Sequence, residues 1–159
     1  MIGRAIGFYT KRYSEIFLYL CLLVLLSLHK FFGFANLSLL VLLLPLLFVD
    51  IKLLDRWAFL WLFYPLLFLL GFGLDEMLNL ALYAFAEEVF FRAYLMRRYS
   101  NLLVSLMFAL PHFILYQNLQ SLLTFFPSLL FGYAYSKTGS VNLATSLHLW
   151  ANVIARIFY

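Results

Sequence analysis

Apolar residues run along this chain in long continuous blocks, broken by short polar stretches. Seven blocks stand out, at about residues 14–29, 31–49, 57–74, 76–96, 100–116, 120–136 and 140–158. Most approach the roughly 20 residues that a helix needs to cross about 30 Å of hydrocarbon. The short alternating segments of an outer-membrane barrel are absent. The pattern therefore predicts an all-α fold, a polytopic transmembrane bundle of about seven spanning helices. The first, fifth and sixth blocks are the shortest. "HKFFGFAN" parts the first two blocks with a charge and Gly33, and "DIKLLDR" parts the second and third with four charges. "GFGLDE" follows with two glycines and two acids, and Asp75 is the expected N-cap of the fourth helix. "RRYSN", "YQNLQ" and "SKTGS" make the remaining turns. No repeat, low-complexity tract or long linker divides the chain, so 1–159 reads as a single membrane-embedded domain. The opening "MIGRAIGFYTKR" resembles the basic region of a leader, but no small-residue cleavage site follows the apolar run. A retained first helix is expected.

Composition supports this class. The chain is 66% hydrophobic and 11% charged, against about 45–50% and about 25% in soluble domains. That excess exceeds what one water-soluble core can hide. Net charge +4 does not point to nucleic acid, because the basic residues are dispersed among separate short breaks. Arg4, Lys11, Arg12, Lys52, Arg56, Arg97, Arg98 and Lys137 fall on one side of a seven-span bundle, and only Lys30 and Arg156 on the other. The positive-inside rule then puts the N-terminus in the cytoplasm. The expected location is multi-pass, in a prokaryotic (inner) cell membrane. Cys21 is the sole cysteine, so no intramolecular disulfide can form.

Three charges break the pattern. In "FAEEVFFRAYL", Glu87, Glu88 and Arg92 sit inside the fourth block. A charge at mid-bilayer costs roughly 2.5–3.5 kcal/mol on insertion scales, so each needs a partner or a polar cavity. Glu88 and Arg92, four residues apart, share a helix face and can pair. Glu87 lies about 100° round the helix and needs groups from other helices. Two of the three histidines also lie inside blocks. His112 follows Phe108 by four residues, and His148 precedes Asn152 by four; His29 is expected to be interfacial. Measured along each helix at about 1.5 Å per residue, Glu87, His112, His148 and Asn152 lie roughly 15, 16, 12 and 18 Å from the basic side. They reach one layer. Pro111 can kink the fifth helix and free a backbone carbonyl beside His112. Tyr83, Phe85, Phe90, Phe91 and Tyr94 either line a substrate groove or pack against neighbours and lipid.

Glu87-Glu88-x-x-x-Arg92, Phe108-x-x-x-His112 and His148-x-x-x-Asn152, in that order on three helices, resemble the three motifs of the CPBP family of glutamic-type intramembrane proteases. That family includes the type II CAAX prenyl endopeptidases and bacteriocin-processing or immunity-associated (Abi) proteins. The resemblance covers about residues 75–159, the expected catalytic core; residues 1–74 match only as three generic membrane helices. It implies that Glu87, aided by His112, activates a water, and that His148 and Asn152 bind the oxyanion. Glu88 and Arg92 would orient and balance charge around Glu87, with Phe108 as a wall of the site. It also implies a membrane-anchored or lipidated protein substrate, C-terminal tail processing, and no cofactor. Two His and a carboxylate also suit a catalytic zinc, although HExxH is absent. Intramembrane Glu, His and Arg also mark proton or ion-coupled transporters, and a non-hydrolytic immunity scaffold is a third reading.

Overall fold

The computed structural model describes residues 14–158. The basic start of the chain, with Arg4, Lys11 and Arg12, lies outside the described residues, and with it the expectations about a retained leader and the side of the N-terminus. The described residues form seven helical rods and no strand, one rod in each apolar block. These are α1 (Ser14–Phe32), α2 (Ser38–Leu47), α3 (Ala58–Leu70), α4 (residues 74–97), α5 (Asn101–Tyr116), α6 (residues 119–138) and α7 (Val141–Phe158). Among the described residues α1 alone is long and apolar enough, by length and composition, to cross a membrane as a single helix.

The helix ends follow local chemistry. Gly33, at φ +71°, turns the chain out of α1 while its N–H donates to His29 O. Asn36 then opens α2 by accepting from the Ser38 N–H and hydroxyl, at 3.1 and 2.6 Å. The boundary therefore differs from the expected one: α1 continues through Lys30, and α2 starts at residue 38 rather than 31. The α3 rod is wound as a 3₁₀ helix with Pro65 inside. At about 2.0 Å per residue its 13 residues reach about 26 Å, further than an α-helix of that length. The N-cap of α4 is Gly73, not Asp75; Asp75 and Glu76 occupy the first turn, where carboxylates complement the helix dipole.

Contacts fix an alternating up-and-down arrangement. At one end, Arg98 after α4 pairs with Glu15 at the start of α1, at 3.0 Å. At that same end, Asn142 at the start of α7 donates to Leu53 O before α3, at 2.9 Å. At the other end, Arg156 late in α7 pairs with Glu76 early in α4, at 2.7 Å. Beside an apolar core, the bundle buries charged and polar side chains and exposes many apolar ones. Glu88, Arg92, Ser105, Ser128 and Thr145 are fully buried, while Leu47, Leu54, Leu62 and Leu69 are among many exposed apolar side chains. A surface of that kind is stable against hydrocarbon rather than water.

The α4 rod is central, packing on α2 and α7 and, through its second half, against α5. It starts as an α-helix (Leu74–Glu88), winds as a π-helix over Val89–Tyr94 and ends as a 3₁₀ turn (Leu95–Arg97). All six π-helical residues are buried, Arg92 among them. Single π turns inside α-helices recur at functional sites, and this one begins directly after the two glutamates.

Candidate active site

The carboxylates and the guanidinium are held by a network that crosses three helices. Glu88 Oε2 accepts from Arg92 Nε at 2.8 Å, the i, i+4 pair expected from the spacing. Its other oxygen, Oε1, lies 3.0 Å from His148 Nδ1 on α7. A carboxylate only accepts, so Nδ1 carries the proton in this contact. Arg92 Nη2 donates to Ser128 Oγ on α6 at 2.7 Å, and the guanidinium carbon sits 5.5 Å over the Phe108 ring. Glu88 thus serves two partners, Arg92 and His148.

Glu87 stands apart, as its helical position implies. Its Oε2 is buried and has no hydrogen-bond partner. His148 Nε2 lies 3.7 Å from it. One imidazole therefore bridges the two adjacent glutamates through its two nitrogens. To donate through Nε2 as well as Nδ1, that ring must carry both protons.

His112 is set by its own helix. Its Nδ1 lies 2.9 Å from Phe108 O, one turn back. A carbonyl can only accept, so Nδ1 is the protonated nitrogen and, in the neutral ring, Nε2 keeps its lone pair. Pro111 has no N–H to give Met107 O, and the freed carbonyl is taken by the Tyr19 hydroxyl of α1 at 2.9 Å. The helix continues through Pro111 over Asn101–Tyr116, so the proline ties α5 to α1. Phe108 is the hub of the aromatic wall. Its ring lies 4.6 Å from His112, 5.5 Å from His148 and 5.0 Å from Phe91, centroid to centroid. Phe131 stacks on His148 at 5.0 Å.

Glu87, His112, His148 and Asn152 all line one cavity of about 1130 Å³. That is slightly above the roughly 300–1,000 Å³ of most small-molecule pockets, and suits several residues of an extended chain. Phe108 is in its wall, while Glu88 and Arg92 lie behind it. Tyr83 and Phe91 face the cavity; Phe90 and Tyr94 are core residues instead, and Phe85 packs on the cluster around Val89. His29 Nδ1 donates to Phe34 O, at 2.8 Å, in the loop after α1. Among the described residues, no three His, Cys, Asp or Glu side chains are grouped to hold a metal ion.

Two contributors escaped sequence reasoning. Ser128 is one the sequence does not single out; the signal for it is the guanidinium itself, whose five N–H groups one carboxylate cannot satisfy. Tyr19 had no sequence signal beyond the carbonyl that Pro111 must free.

The family model for "Type II CAAX prenyl endopeptidase Rce1-like" matches residues 57–154, a range that takes in α3 and most of α4 to α7. No curated protein and no solved structure matches the chain.

Proposed function

We propose, from the premise that this chain belongs to the Rce1-like type II CAAX prenyl endopeptidase family of intramembrane proteases, that it hydrolyses a peptide bond by a glutamate-activated water. The domain is one multi-pass membrane unit, with residues 75–159 as the catalytic core. One observation carries the reading. Glu87 Oε2 is buried without a hydrogen-bond partner, in the wall of the cavity that His112, His148 and Asn152 also line. A buried carboxylate oxygen that makes no hydrogen bond is costly unless a water or substrate completes it.

The chemistry follows from the donors and acceptors. Glu87 takes a proton from a water whose second hydrogen is oriented by the free lone pair of His112 Nε2. The water oxygen bonds to the substrate carbonyl carbon. Charge develops on the carbonyl oxygen, and the Asn152 amide and His148 Nε2–H donate to it. Such donors are effective in a dry site because they need no reorganisation as the charge forms. The C–N bond then breaks, and the proton held by Glu87 passes to the leaving nitrogen. Glu88 holds His148 through Nδ1, and Arg92 with Ser128 balances Glu88.

The test uses purified protein in detergent with a membrane-anchored peptide substrate. Glu87→Gln should lower kcat by about 10²–10⁴, the usual share of a general base, with KM nearly unchanged. A chelator should have no effect. Cleavage that survives Glu87→Gln would remove Glu87 from the mechanism. Loss with chelator, restored by zinc, would replace it with the metal reading. Proton-coupled uptake in liposomes without cleavage would favour a transporter.

A further inference from the structure

The first turn of α7 is pinned from outside the cavity. Asn142 lies in that turn and is buried, and both ends of its carboxamide are engaged. Its Oδ1 accepts from Trp61 Nε1 of α3 at 3.0 Å. Its Nδ2 donates to Leu53 O at 2.9 Å and to Asp55 Oδ1 at 3.2 Å, both in the turn before α3. A primary amide has two N–H donors, and these contacts use both. Asp55 also accepts from the Trp57 N–H at 2.8 Å and from the Ser140 hydroxyl, directly before α7. Ser140 Oγ in turn accepts from the Leu143 N–H at 3.1 Å, as a helix cap does.

The α3 rod carries the tie onward. Trp61 meets Tyr64 edge-on, with centroids 6.0 Å apart, and the Tyr64 hydroxyl donates to Met77 O early in α4. Leu67 of α3, Met77 of α4 and Val153 of α7 share one buried cluster. The rod thus braces α7 against α4, and these two helices carry His148, Asn152 and Glu87. Asn142, Asp55 and Trp61 are not in the cavity lining. Six residues at about 100° each leave His148 about 120° round the helix from Asn142. Asn142 therefore faces the brace while His148 faces the glutamates. A turn of α7 by about 10° moves a side-chain tip about 5–6 Å from the axis by about 1 Å. His148 Nε2 and Glu87 Oε2 are 3.7 Å apart, and a misplacement of about 1 Å costs up to about 100-fold in rate.

We infer that Asn142 is a positioning residue of the active site: with Asp55 and Trp61 it fixes the rotation of α7 about its axis, and so the aim of His148 and Asn152. Leu53 and Asp55 precede the matched range of residues 57–154, so the tie starts in a part of the chain that the family match leaves out. This deepens the proposed function and rests on that reading for the reaction, but one arm of its test needs no turnover.

Four variants are compared with the parent in detergent. Asn142→Leu keeps the volume and loses all three bonds. Asn142→Asp sets two carboxylates face to face. Asn142→Asp with Asp55→Asn exchanges the two groups, which restores the amide-to-carboxylate bond and keeps an acceptor for Trp61. Trp61→Phe keeps a ring and loses one donor, which guards against a failure of Asn142→Leu to fold. With the membrane-anchored peptide, kcat should fall about 10–100-fold in Asn142→Leu and Asn142→Asp, with KM within about twofold because the cavity lining is unchanged. The exchanged pair should regain kcat to within about threefold of the parent. Nitrogen NMR of labelled histidine, assigned by difference with His148→Gln, reads the site without substrate. The His148 ring resonances should move in Asn142→Leu and Trp61→Phe and return in the exchanged pair. Parental resonances in Asn142→Leu and Trp61→Phe, a loss carried by KM, or a kcat loss that the exchanged pair does not recover overturns the proposal. If the resonances move as stated while Glu87→Gln leaves cleavage intact, the catalytic assignment fails and the brace stands.

Discussion

Replacing Glu88 by Gln keeps the side-chain shape and removes one charge from the centre of the bundle. Glu88 and Arg92 are both fully buried and meet at 2.8 Å. After the substitution, the Arg92 guanidinium keeps the Ser128 hydroxyl, the Phe108 ring and a neutral amide oxygen. Breaking a buried pair from one side costs about 3–5 kcal/mol, because the other charge is left uncompensated. That is a large part of the roughly 5–15 kcal/mol that holds a domain folded. Removing both charges has a different effect. Glu88→Leu with Arg92→Met replaces the pair by apolar groups of similar volume, which is neutral or stabilising by about 1–4 kcal/mol. The double variant should therefore recover most of the loss but stay about 1–3 kcal/mol short of the parent, because His148 Nδ1 is left without its acceptor, and the single variant should unfold well before both, in denaturant titrations of the protein in mixed micelles. Activity should not return with stability, because His148 Nδ1 loses the oxygen it donates to at 3.0 Å. A Glu88→Gln protein within about 1 kcal/mol of the parent would refute the energetic argument, since the expected loss is several-fold larger. Parental turnover by the double variant would refute the placement of His148 by Glu88.

Three further outcomes follow from the same geometry. Tyr19→Phe removes the donor to Met107 O, the carbonyl freed by Pro111, and should cost about 1–3 kcal/mol in unfolding titrations; adding Pro111→Ala, which restores the helical N–H, should shrink that loss. Gly132→Ala drives a Cβ to 1.7 Å from Asn101 Oδ1, so thermal unfolding should show a loss of about 1–3 kcal/mol, partly recovered by Asn101→Ala. Asp55 lies in the turn before α3. Its burial works to raise the carboxyl pKa, but hydrogen bonds from Ser140, the Trp57 N–H, Asn142 and the Ala58 N–H outweigh it and hold it below the ordinary value of 3.8. A depressed folded pKa contributes stability that is present above the unfolded value and lost as pH falls through the folded one. Unfolding measured from pH 6 downward should therefore show an acid-side loss, centred below the ordinary carboxylate range, that Asp55→Asn removes; an unchanged profile would exclude Asp55 as its source.

Much of this protein is legible without its structure, for a physical reason. Charges, glycines and polar turns are expelled from hydrocarbon, so the breaks in the apolar pattern mark where helices end. One helical rod falls in each predicted block, and residues four apart meet as helical geometry requires: Glu88 with Arg92, and Phe108 with His112. The three polar motifs are visible for the same reason, since nothing but a partner or a cavity tolerates them there. Edges set by a single backbone angle were misjudged. Gly33 delays the end of α1, and Gly73 rather than Asp75 caps α4, because local hydrogen bonds and φ decide these points, not hydropathy. Depth along a helix could also be counted, which is why Glu87, His112, His148 and Asn152 were expected in one layer.

What depth does not contain is rotation. How far each helix turns about its axis, and which face meets which neighbour, is decided by packing between segments 30 to 90 residues apart. Only the tertiary structure joins Glu88 to His148, Arg92 to Ser128 and Tyr19 to Met107, and leaves Glu87 Oε2 without a hydrogen bond. It alone winds Val89–Tyr94 into a π-helix, burying all six of its residues at the centre of the bundle. It alone packs Gly132 of α6 against Asn101 of α5. Periodicity determines which residues on one helix share a face; the fit of side chains between helices determines what that face touches.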